Sequence, residues 1–394
     1  MWQLDLLLSL CALPALVASL YLFVLAVVAR RRAGSNAAAP QLRYDIIVPA
    51  HNEEEHIAET VASLRALQYP RPLFRVLVVA DNCTDRTAAN AAAAGAQVLV
   101  RQDAERRGKG YALAHAFDRS LRDGIADAVV VVDADTLVSP NLLTAFGERF
   151  ANGAAAVQAH YGVRNPRSSW RTRLMTIALG AFHGVRSAAR ERLGISCGLR
   201  GNGMAFSKAL LIAHPPGAFS IVEDLEYGLQ LGYAGIRVHY TDEAEVLGYM
   251  ASSEKTSRSQ RRRWERGRQA LAREHAPQLL REAWRRRDLL LLDLALDLVV
   301  PPLGQVVAII ALGLAASLVA FAFGAVVAPW LWALALFGIV VHVMRGWAFS
   351  GVGLIGLLDL LWAPMYVAWK IVLRFSDRGR KPENWVRTTR EASL

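Results

Sequence analysis

Cysteine is scarce in this chain, since only Cys11, Cys83 and Cys197 occur among 394 residues. They lack the paired spacing of zinc ligands, and Cys11 lies inside a long apolar stretch. The sequence therefore indicates neither a disulfide framework nor a zinc site, and it agrees with a reducing compartment.

Two glycine-rich phosphate-binding loops are also missing. The segment AERRGKGY, residues 104–111, contains a Gly-Lys pair but lacks the first glycine and the Ser or Thr that a P-loop requires. After the first predicted strand the chain reads AHNEEE rather than GxGxxG. Neither a P-loop nucleotidase nor a dinucleotide-dependent oxidoreductase is therefore expected.

The chain is too apolar for an average soluble enzyme. Hydrophobic residues make up 54% and charged residues 20%, and the mean hydropathy is +0.24. The apolar residues gather at 4–29 and 289–373, with a patterned polar block between them. The net charge of +11 is carried largely by arginines near these boundaries, which indicates membrane topology and anionic lipid rather than nucleic acid.

The first apolar stretch is predicted to be a retained membrane anchor. No Lys or Arg precedes it, and Arg30, Arg31 and Arg32 follow it, which reverses the charge order of a secretory signal. Positive flanks stay in the cytoplasm, so the N-terminus should face outward and the following domain should be cytosolic. We predict a multi-pass protein of the cell (inner) membrane with an anchor at 1–32, a cytosolic domain at 40–285, a C-terminal membrane region at 286–375 and a basic tail at 376–394.

The sequence predicts two or three membrane-spanning helices in the C-terminal region. The runs 303–324, 329–348 and 352–373 each approach the length that crosses a bilayer. Three crossings from the cytosol would end outside, yet the tail is rich in arginine and lysine, which belong inside. The run 352–373 contains Asp359, Pro364 and Lys370, so we expect it to be interfacial or re-entrant.

Strands and helices alternate through the polar block, which predicts an α/β fold with a parallel sheet. The predicted strands are 44–49, 74–80, 96–100 and 127–132, and long basic helices are expected at about 168–192 and 256–275. We expect Asn52, with Glu55, to cap the first helix, and Ser139 with Pro140 to begin the helix after the fourth strand.

Acidic residues occur at two places that suit chemistry. Asp133 and Asp135 follow the fourth strand, at the sheet edge where ligands bind, and carboxylate oxygens suit Mg²⁺ or Mn²⁺ on a diphosphate. A solvated turn is the alternative. Glu223 and Asp224 open a predicted helix, where acids also serve as caps, but Asp224 could accept a proton from an attacking hydroxyl.

A third group lies on the predicted helix that contains QRRRW. Gln260, Arg263 and Trp264 share one face, where a guanidinium can bind a pyrophosphate and an indole can carry a sugar ring. The alternative is a basic juxtamembrane helix whose tryptophan lies in the interfacial belt.

In this order, VPAHNEE, VVADNCTDRT, GKGYAL, VVDAD, GNGMAF, VEDLEYGLQLGYAG and QRRRW resemble family 2 glycosyltransferases. The resemblance is to the membrane-bound branch of cellulose, chitin, hyaluronan and poly-N-acetylglucosamine synthases, and also to glucosylceramide synthases. It covers about residues 44–270. It implies a type-A glycosyltransferase fold, a Rossmann-like mixed sheet, here with N- and C-terminal transmembrane helices, as well as an inverting mechanism and usually a UDP-sugar donor.

The resemblance also implies a role for each matching residue. It assigns Glu53 and Asp81 to the nucleoside, Lys109 to the donor pocket, Asp133 and Asp135 to the diphosphate and its Mg²⁺ or Mn²⁺, Asp224 to the base, Arg263 to the pyrophosphate, and Gly201, Asn202, Glu223, Gln260 and Trp264 to the acceptor side. The usual Asp-Asp-Gly-Ser loop is replaced by Ala80-Asp81-Asn82-Cys83, so one acidic residue is missing.

We therefore expect transfer of a sugar from a nucleotide sugar to a membrane lipid or lipid-linked acceptor. The expected partners are the nucleotide sugar, this acceptor and the lipid bilayer, and no nucleic acid is expected. A processive synthase that extends a glycan chain is one alternative. A non-catalytic nucleotide-sugar sensor in an export complex is another, and a homo-oligomer or export partner is left open.

Overall fold

The computed structural model describes residues 2–32, 41–250 and 254–366, without the side chains of 254–264. The described chain forms two compact units. One contains residues 2–29, 166–189 and 299–366, and the other contains 30–32, 41–165, 190–250 and 254–298.

The second unit is built on an eight-stranded mixed sheet in the order β3-β2-β1-β4-β7-β6-β8-β5. The first three strands and β4 run parallel, and β7 is antiparallel to both of its neighbours. The strands are β1 Tyr44–Ala50, β2 Phe74–Asp81, β3 Gln97–Arg101, β4 Ala128–Val131, β5 Thr136–Val138, β6 Ala156–Val163, β7 Met204–Ser207 and β8 Val238–Gly248.

Apolar runs explain the centre of this sheet. All four residues of β4 are buried, and six of the seven residues of β1 are buried, as expected for strands covered on both faces.

The helices of this unit are α2 Ile57–Arg65, α3 Thr87–Ala93, α4 Lys109–Asp123, α5 Leu142–Ala151, α8 Lys208–Ala213, α9 Glu223–Tyr233, α10 Glu254–Arg286 and α11 Leu289–Val299, whose last residue falls in the other unit. Helix α7, Arg186–Leu193, is shared between the units.

Both helix starts predicted from sequence are wrong. Helix α2 begins at Ile57, whereas Asn52 has a φ of 55° and its Oδ1 accepts a hydrogen bond from the Thr84 amide over 2.8 Å. Helix α5 begins at Leu142, and the Ser139 hydroxyl instead accepts from the Glu245 amide over 2.9 Å. Each polar side chain joins a distant segment, which local capping patterns do not reveal.

A buried ion cluster joins α7 to α11. Arg190 is 1% exposed and forms ion pairs with Asp293 over 2.8 Å and with Asp297 over 2.7 Å. The attraction between the guanidinium and the two carboxylates offsets the cost of taking these charges out of water, but only while all three groups remain. This cluster accounts for the two aspartates that interrupt the apolar run from Leu289.

The first unit is helical and contains three helices that are long and apolar enough to cross a membrane: Trp2–Val28, Leu303–Phe321 and Ala328–Ser350. Its helices are α1 Trp2–Val28, α6 Trp170–Leu179, the π-helical turn Gly180–Val185, α12 Leu303–Phe321, α13 Ala328–Ser350 and α14 Gly353–Asp359. The apolar helix Gly353–Tyr366 is shorter than these spans.

Polar contacts at both ends fix α1 and α13 side by side in parallel. The Asp5 carboxylate accepts hydrogen bonds from the amides of Val326, Val327 and Ala328, at the start of α13. At the other end, the Arg345 guanidinium donates to the carbonyl of Ala29 over 2.6 Å. The two helices therefore begin at the same side and end at the same side.

The segment Pro166–Ala189, inserted between β6 and β7, packs in the first unit. Here Gly180 approaches α13 so closely that an added Cβ would lie 2.6 Å from the Gly346 carbonyl oxygen. Arg173 of α6 forms an ion pair with Asp359 of α14. The sequence predicts this segment as part of the domain 40–285, whereas it packs in the first unit. The remaining domain boundaries stay predictions.

Removal of the Arg190 charge should destabilise the protein. Arg190→Met leaves two buried carboxylates without their counterion, which costs about 3–5 kcal/mol when a buried pair is broken. Thermal unfolding in detergent should therefore shift strongly downward. Arg192→Met, an exposed position on the same helix, is the control. Equal melting temperatures for the two variants would contradict the role of the cluster.

Candidate active site

The polar residues collect along one edge of the sheet, because the parallel strands β2, β1 and β4 all end there. Asp81 ends β2, Glu53 follows β1, and Asp133 follows β4. The antiparallel β7 begins at the same edge, which brings the loop with Gly201 and Asn202 beside Asp133. Ligands bind at this edge in open α/β sheets.

The Lys109 ammonium connects three segments of this edge. It donates to Asp133 Oδ1 over 2.5 Å and to the Gly201 carbonyl oxygen over 2.6 Å, and it lies 3.9 Å from Glu223 Oε1. Asp224 is also close, since a Cβ added to Gly201 would lie 3.1 Å from Asp224 Oδ2 and 3.5 Å from Lys109 Nζ. The structure thus brings together five residues that the sequence predicted separately.

These charges change one another's affinity for protons. Burial alone would lower the pKa of Lys109, but the carboxylates of Asp133 and Glu223 outweigh it, so this pKa lies above its ordinary value. Burial raises the pKa of Glu223 to about 7, against the opposing charge of Lys109. Burial also raises the pKa of Asp224, while Lys109 and Arg200 oppose the rise. The pKa of Asp224 therefore lies above its ordinary value, which is the direction that favours a proton acceptor.

Asn202 is completely buried and holds the loop that contains Asp133. Its Oδ1 accepts from the Asp133 amide over 3.0 Å, and its Nδ2 donates to Thr136 Oγ1 over 2.9 Å. Its own carbonyl oxygen accepts from the buried Gln158 side chain over 2.7 Å. These contacts fit a positioning role, and they leave the amide no surface for the acceptor contact that the sequence analysis assigned.

Gly201 and Gly203 have φ values of 78° and 69°, the left-handed region that favours glycine. A Cβ at Gly203 would also lie 2.7 Å from Val246, so this residue has no room for a side chain. The backbone of this loop can therefore approach both Asp224 and the sheet.

Asp81 is held by an arginine that the sequence analysis did not single out. Arg101 Nη1 donates to Asp81 Oδ1 over 2.6 Å, and both side chains are about nine-tenths buried. The register of the parallel strands places the two residues opposite each other. An acidic residue at the end of one strand and a basic residue at the end of the next could have suggested this pair, but only once the strand order was known.

The loops after β1 and β2 are tied together. The Glu53 amide donates to Thr87 Oγ1 over 2.7 Å, and the Glu54 carboxylate accepts from the Arg86 amide over 3.1 Å. The backbone of Glu53 is therefore held against the start of α3, in the loop that follows β1.

Asp133 and Asp135 suit a divalent cation in the chemistry of their oxygens. Mg²⁺ and Mn²⁺ use one or two carboxylates together with substrate phosphates and water. One of these carboxylates already contacts a cation, the Lys109 ammonium. Within residues 2–32, 41–250 and 254–366, no group of three or more His, Cys, Asp or Glu is arranged to hold a metal ion.

An aromatic pair borders the Lys109 cluster. The rings of Tyr111 and Phe219 stack with centroids 4.5 Å apart, and Phe219 is still 47% exposed. Gly110 allows this approach, since a Cβ there would lie 2.5 Å from the Ala218 carbonyl oxygen. Ile221, next to the predicted base, is 60% exposed.

The predicted contacts of Gln260, Arg263 and Trp264 lie outside the described residues. Their backbone belongs to α10, but their side chains are not described. The roles given to them in the sequence analysis stay predictions.

Known proteins with similar sequences are glycosyltransferases by name. "Probable glycosyltransferase YdaM" of Bacillus subtilis is 24% identical over 240 residues, which cover 58% of this chain and 55% of that protein. "Beta-monoglucosyldiacylglycerol synthase" of Synechocystis is 30% identical over 185 residues, 46% of this chain and 38% of that protein. The chain thus spans about half the length of the first relative and less of the second.

A solved structure shares the fold. A mannosyltransferase from Pyrobaculum calidifontis, in complex with GDP-Man and Mn²⁺, has a TM-score of 0.53 and 20% sequence identity. The similarity covers 93% of this chain and 99% of that one. It confirms the predicted type-A glycosyltransferase fold, with helices at both ends that are apolar enough to span a membrane.

A family model described as "Glycosyltransferase like family 2" matches residues 40–267. This segment contains the whole Lys109 cluster and the Asp81–Arg101 pair. Because the match covers more than half of the chain, the protein belongs to the glycosyltransferase like family 2.

Proposed function

We propose that this protein transfers a sugar from a nucleoside diphosphate sugar, with UDP as the nucleotide, to a membrane lipid or lipid-linked acceptor. The observation that carries the proposal is the joining of Asp133, Gly201, Glu223 and Asp224 around one partly buried ammonium at the ligand-binding edge of the sheet. Such a cluster combines charge stabilisation with a proton acceptor in a single site.

Asp224 is the proposed base. Its carboxylate takes the proton of the acceptor hydroxyl while that oxygen forms a bond to the anomeric carbon. The bond from this carbon to the diphosphate breaks on the opposite face, and the configuration inverts. The raised pKa of Asp224, which burial causes, makes it a better proton acceptor than an exposed aspartate. Lys109 holds the Gly201 carbonyl in place during this step.

Asp133 and Asp135 would hold Mg²⁺ or Mn²⁺ together with the diphosphate. The ion would supply positive charge to the departing nucleoside diphosphate. Asn202 and Thr136 fix the backbone that carries these carboxylates, so both can be presented without rearrangement of the loop.

Apolar surface beside the base supports a lipid acceptor. Phe219 and Ile221 are 47% and 60% exposed, in the segment that leads into Asp224. Large exposed apolar side chains next to a reaction site suit a substrate with a hydrocarbon part. The name of the Synechocystis relative, a monoglucosyldiacylglycerol synthase, points to the same acceptor class.

The proposed topology has three membrane crossings, one by each of the long apolar helices α1, α12 and α13. The parallel α1 and α13 would each enter the cytosol at their C-terminal ends, with α12 returning outward between them. The helix after α13 is shorter than the spans, and its Asp359 pairs with Arg173 of α6 in the same unit, so we do not count it as a crossing. Two C-terminal crossings then agree with the positive charge of the tail.

Removal of the base should greatly slow sugar transfer but leave nucleotide binding intact. We expect Asp224→Asn to lower kcat by at least about 10²-fold, because general-base catalysis contributes about 10²- to 10⁴-fold. UDP binding, measured by calorimetry, should persist. Glu226→Gln is the matched control, since Glu226 lies in the same helical turn and accepts from the Ser220 amide instead. Full transfer by Asp224→Asn, with donor hydrolysis excluded, would refute the assignment.

Removal of the Lys109 charge should move the acid limb of the pH profile. Lys109 lowers the pKa of Asp224, so Lys109→Met raises that pKa and leaves the base protonated up to a higher pH. The decline of kcat on acidification, measured with saturating donor, should therefore begin at a higher pH. Lys208→Met, which removes a lysine bound to the Gly124 carbonyl, should leave the limb in place. If the acid limb of the kcat profile stays at the same pH in Lys109→Met, or moves to lower pH, the assignment of Asp224 as the base is contradicted.

The acceptor can be tested by the products. Purified protein in lipid, given a panel of nucleotide sugars with Mg²⁺ or Mn²⁺, should yield one glycosylated lipid by mass spectrometry. A ladder of products that differ by single sugars would instead favour the processive alternative. Nucleotide binding without any product would favour a sensor.

A further inference from the structure

A glycine on α10 contacts the residue that comes directly before the acidic pair of α9. Gly267 approaches Val222 so closely that an added Cβ would lie 2.9 Å from Val222 Cγ1 and 3.0 Å from Cγ2. Val222 is 7% exposed and precedes Glu223, the first residue of α9. The helix that contains QRRRW therefore packs directly against the start of the helix that carries Asp224.

This contact leaves no room for one more methyl group. Val222 is β-branched, so its two methyl groups occupy two of the three staggered positions around the Cα–Cβ bond. Any rotation between these positions leaves at least one methyl group close to Gly267. An alanine at position 267 would therefore push the two helices apart, whereas the glycine lets their backbones approach.

The part of α10 that follows Gly267 is held in place. Leu271, one turn later, is buried in a core that it shares with Leu229 of α9 and with residues of α11. The Arg268 guanidinium donates to the Asp297 carbonyl oxygen of α11. A shift of the whole helix would break these contacts, so an added methyl group should displace the first turns of α10 or of α9.

Gly267 also lies on the face of α10 that carries the predicted substrate contacts. Helix residues three and four apart share a face, and Trp264 and Arg263 precede Gly267 by these intervals within α10. At Gly267 this face meets the start of α9. The distance between the two helices therefore determines how far Asp224 lies from the residues predicted to bind pyrophosphate and acceptor.

We propose that Gly267 is a positioning residue, which sets the distance between Asp224 and the face of α10 on which Arg263 and Trp264 lie. The inference rests on the proposed function, since it assumes that Asp224 takes the proton of an acceptor hydroxyl. A displacement of about 1 Å can slow catalysis by about 10²-fold. The glycine acts through these residues and does not contact the reacting groups.

Gly267→Ala in the full-length protein tests the proposal. The assay uses nanodiscs of a total membrane lipid extract with Mn²⁺ and UDP-glucose, UDP-galactose or UDP-N-acetylglucosamine, and calorimetry with UDP counts the intact sites. We expect kcat per UDP-binding site to fall about 10- to 100-fold. Helix propensity alone predicts no loss, because alanine favours a helix more than glycine does.

A second substitution distinguishes positioning from general destabilisation. Val222→Ala in the Gly267→Ala background removes both crowding methyl groups, so it should recover most of the lost kcat. If the loss came from destabilisation, this truncation of a buried side chain would deepen it. Gly217→Ala is the matched control, because Gly217 lies in the loop before α9 and a Cβ there would meet nothing within 4 Å. Its kcat should equal that of the unmodified protein.

Three results would overturn the inference: an unchanged kcat in Gly267→Ala, a double variant no faster than Gly267→Ala, or an equal loss in Gly217→Ala. Each of them leaves sugar transfer by the unmodified protein, and thus the proposed function, in place. If the unmodified protein transfers no sugar from any of the three donors, the proposed function fails, and the inference fails with it.

Discussion

The site depends on the contact between the Lys109 ammonium and the carboxylate of Asp133. This lysine begins α4, the aspartate follows β4, and the same ammonium binds the Gly201 carbonyl and lies near Glu223. Four segments that are distant in sequence thus meet at one positive charge. Without that charge, the carboxyls of Asp133, Glu223 and Asp224 would repel one another in a partly buried place.

The sheet and a buried polar network keep this charged site in position. The Asn202 side chain links the Asp133 amide to the Thr136 hydroxyl through hydrogen bonds, and the Gln158 side chain donates a hydrogen bond to the Asn202 carbonyl. Every one of these groups is satisfied within the protein, which gives the network rigidity without a cost in unpaired polar atoms. Catalytic groups that are fixed in advance need not reorganise as charge develops on a leaving diphosphate.

Sequence patterns predicted the strands and the acidic positions because both are local properties. The runs around Ile46 and Val130 are apolar enough to be central strands, and Asp133 follows such a run directly. The partners could not be predicted, because they come from distant segments. Arg101 meets Asp81 only through strand register, Asn52 binds the next loop instead of capping a helix, and 166–189 packs with the long apolar helices of the first unit. Tertiary contacts override local preference at each of these places.

In the mechanism that we propose, the Lys109 ammonium holds Asp133 in the absence of a metal ion, and the ion would take its place beside this carboxylate together with the nucleotide. Mn²⁺ binding, followed by electron paramagnetic resonance with and without UDP, tests it most directly. We expect weak Mn²⁺ binding to the unmodified protein alone, stronger binding with UDP, and stronger binding to Lys109→Met even without UDP, because the competing ammonium is gone. Mn²⁺ binding that is unaffected by UDP and by the loss of Lys109 would contradict it.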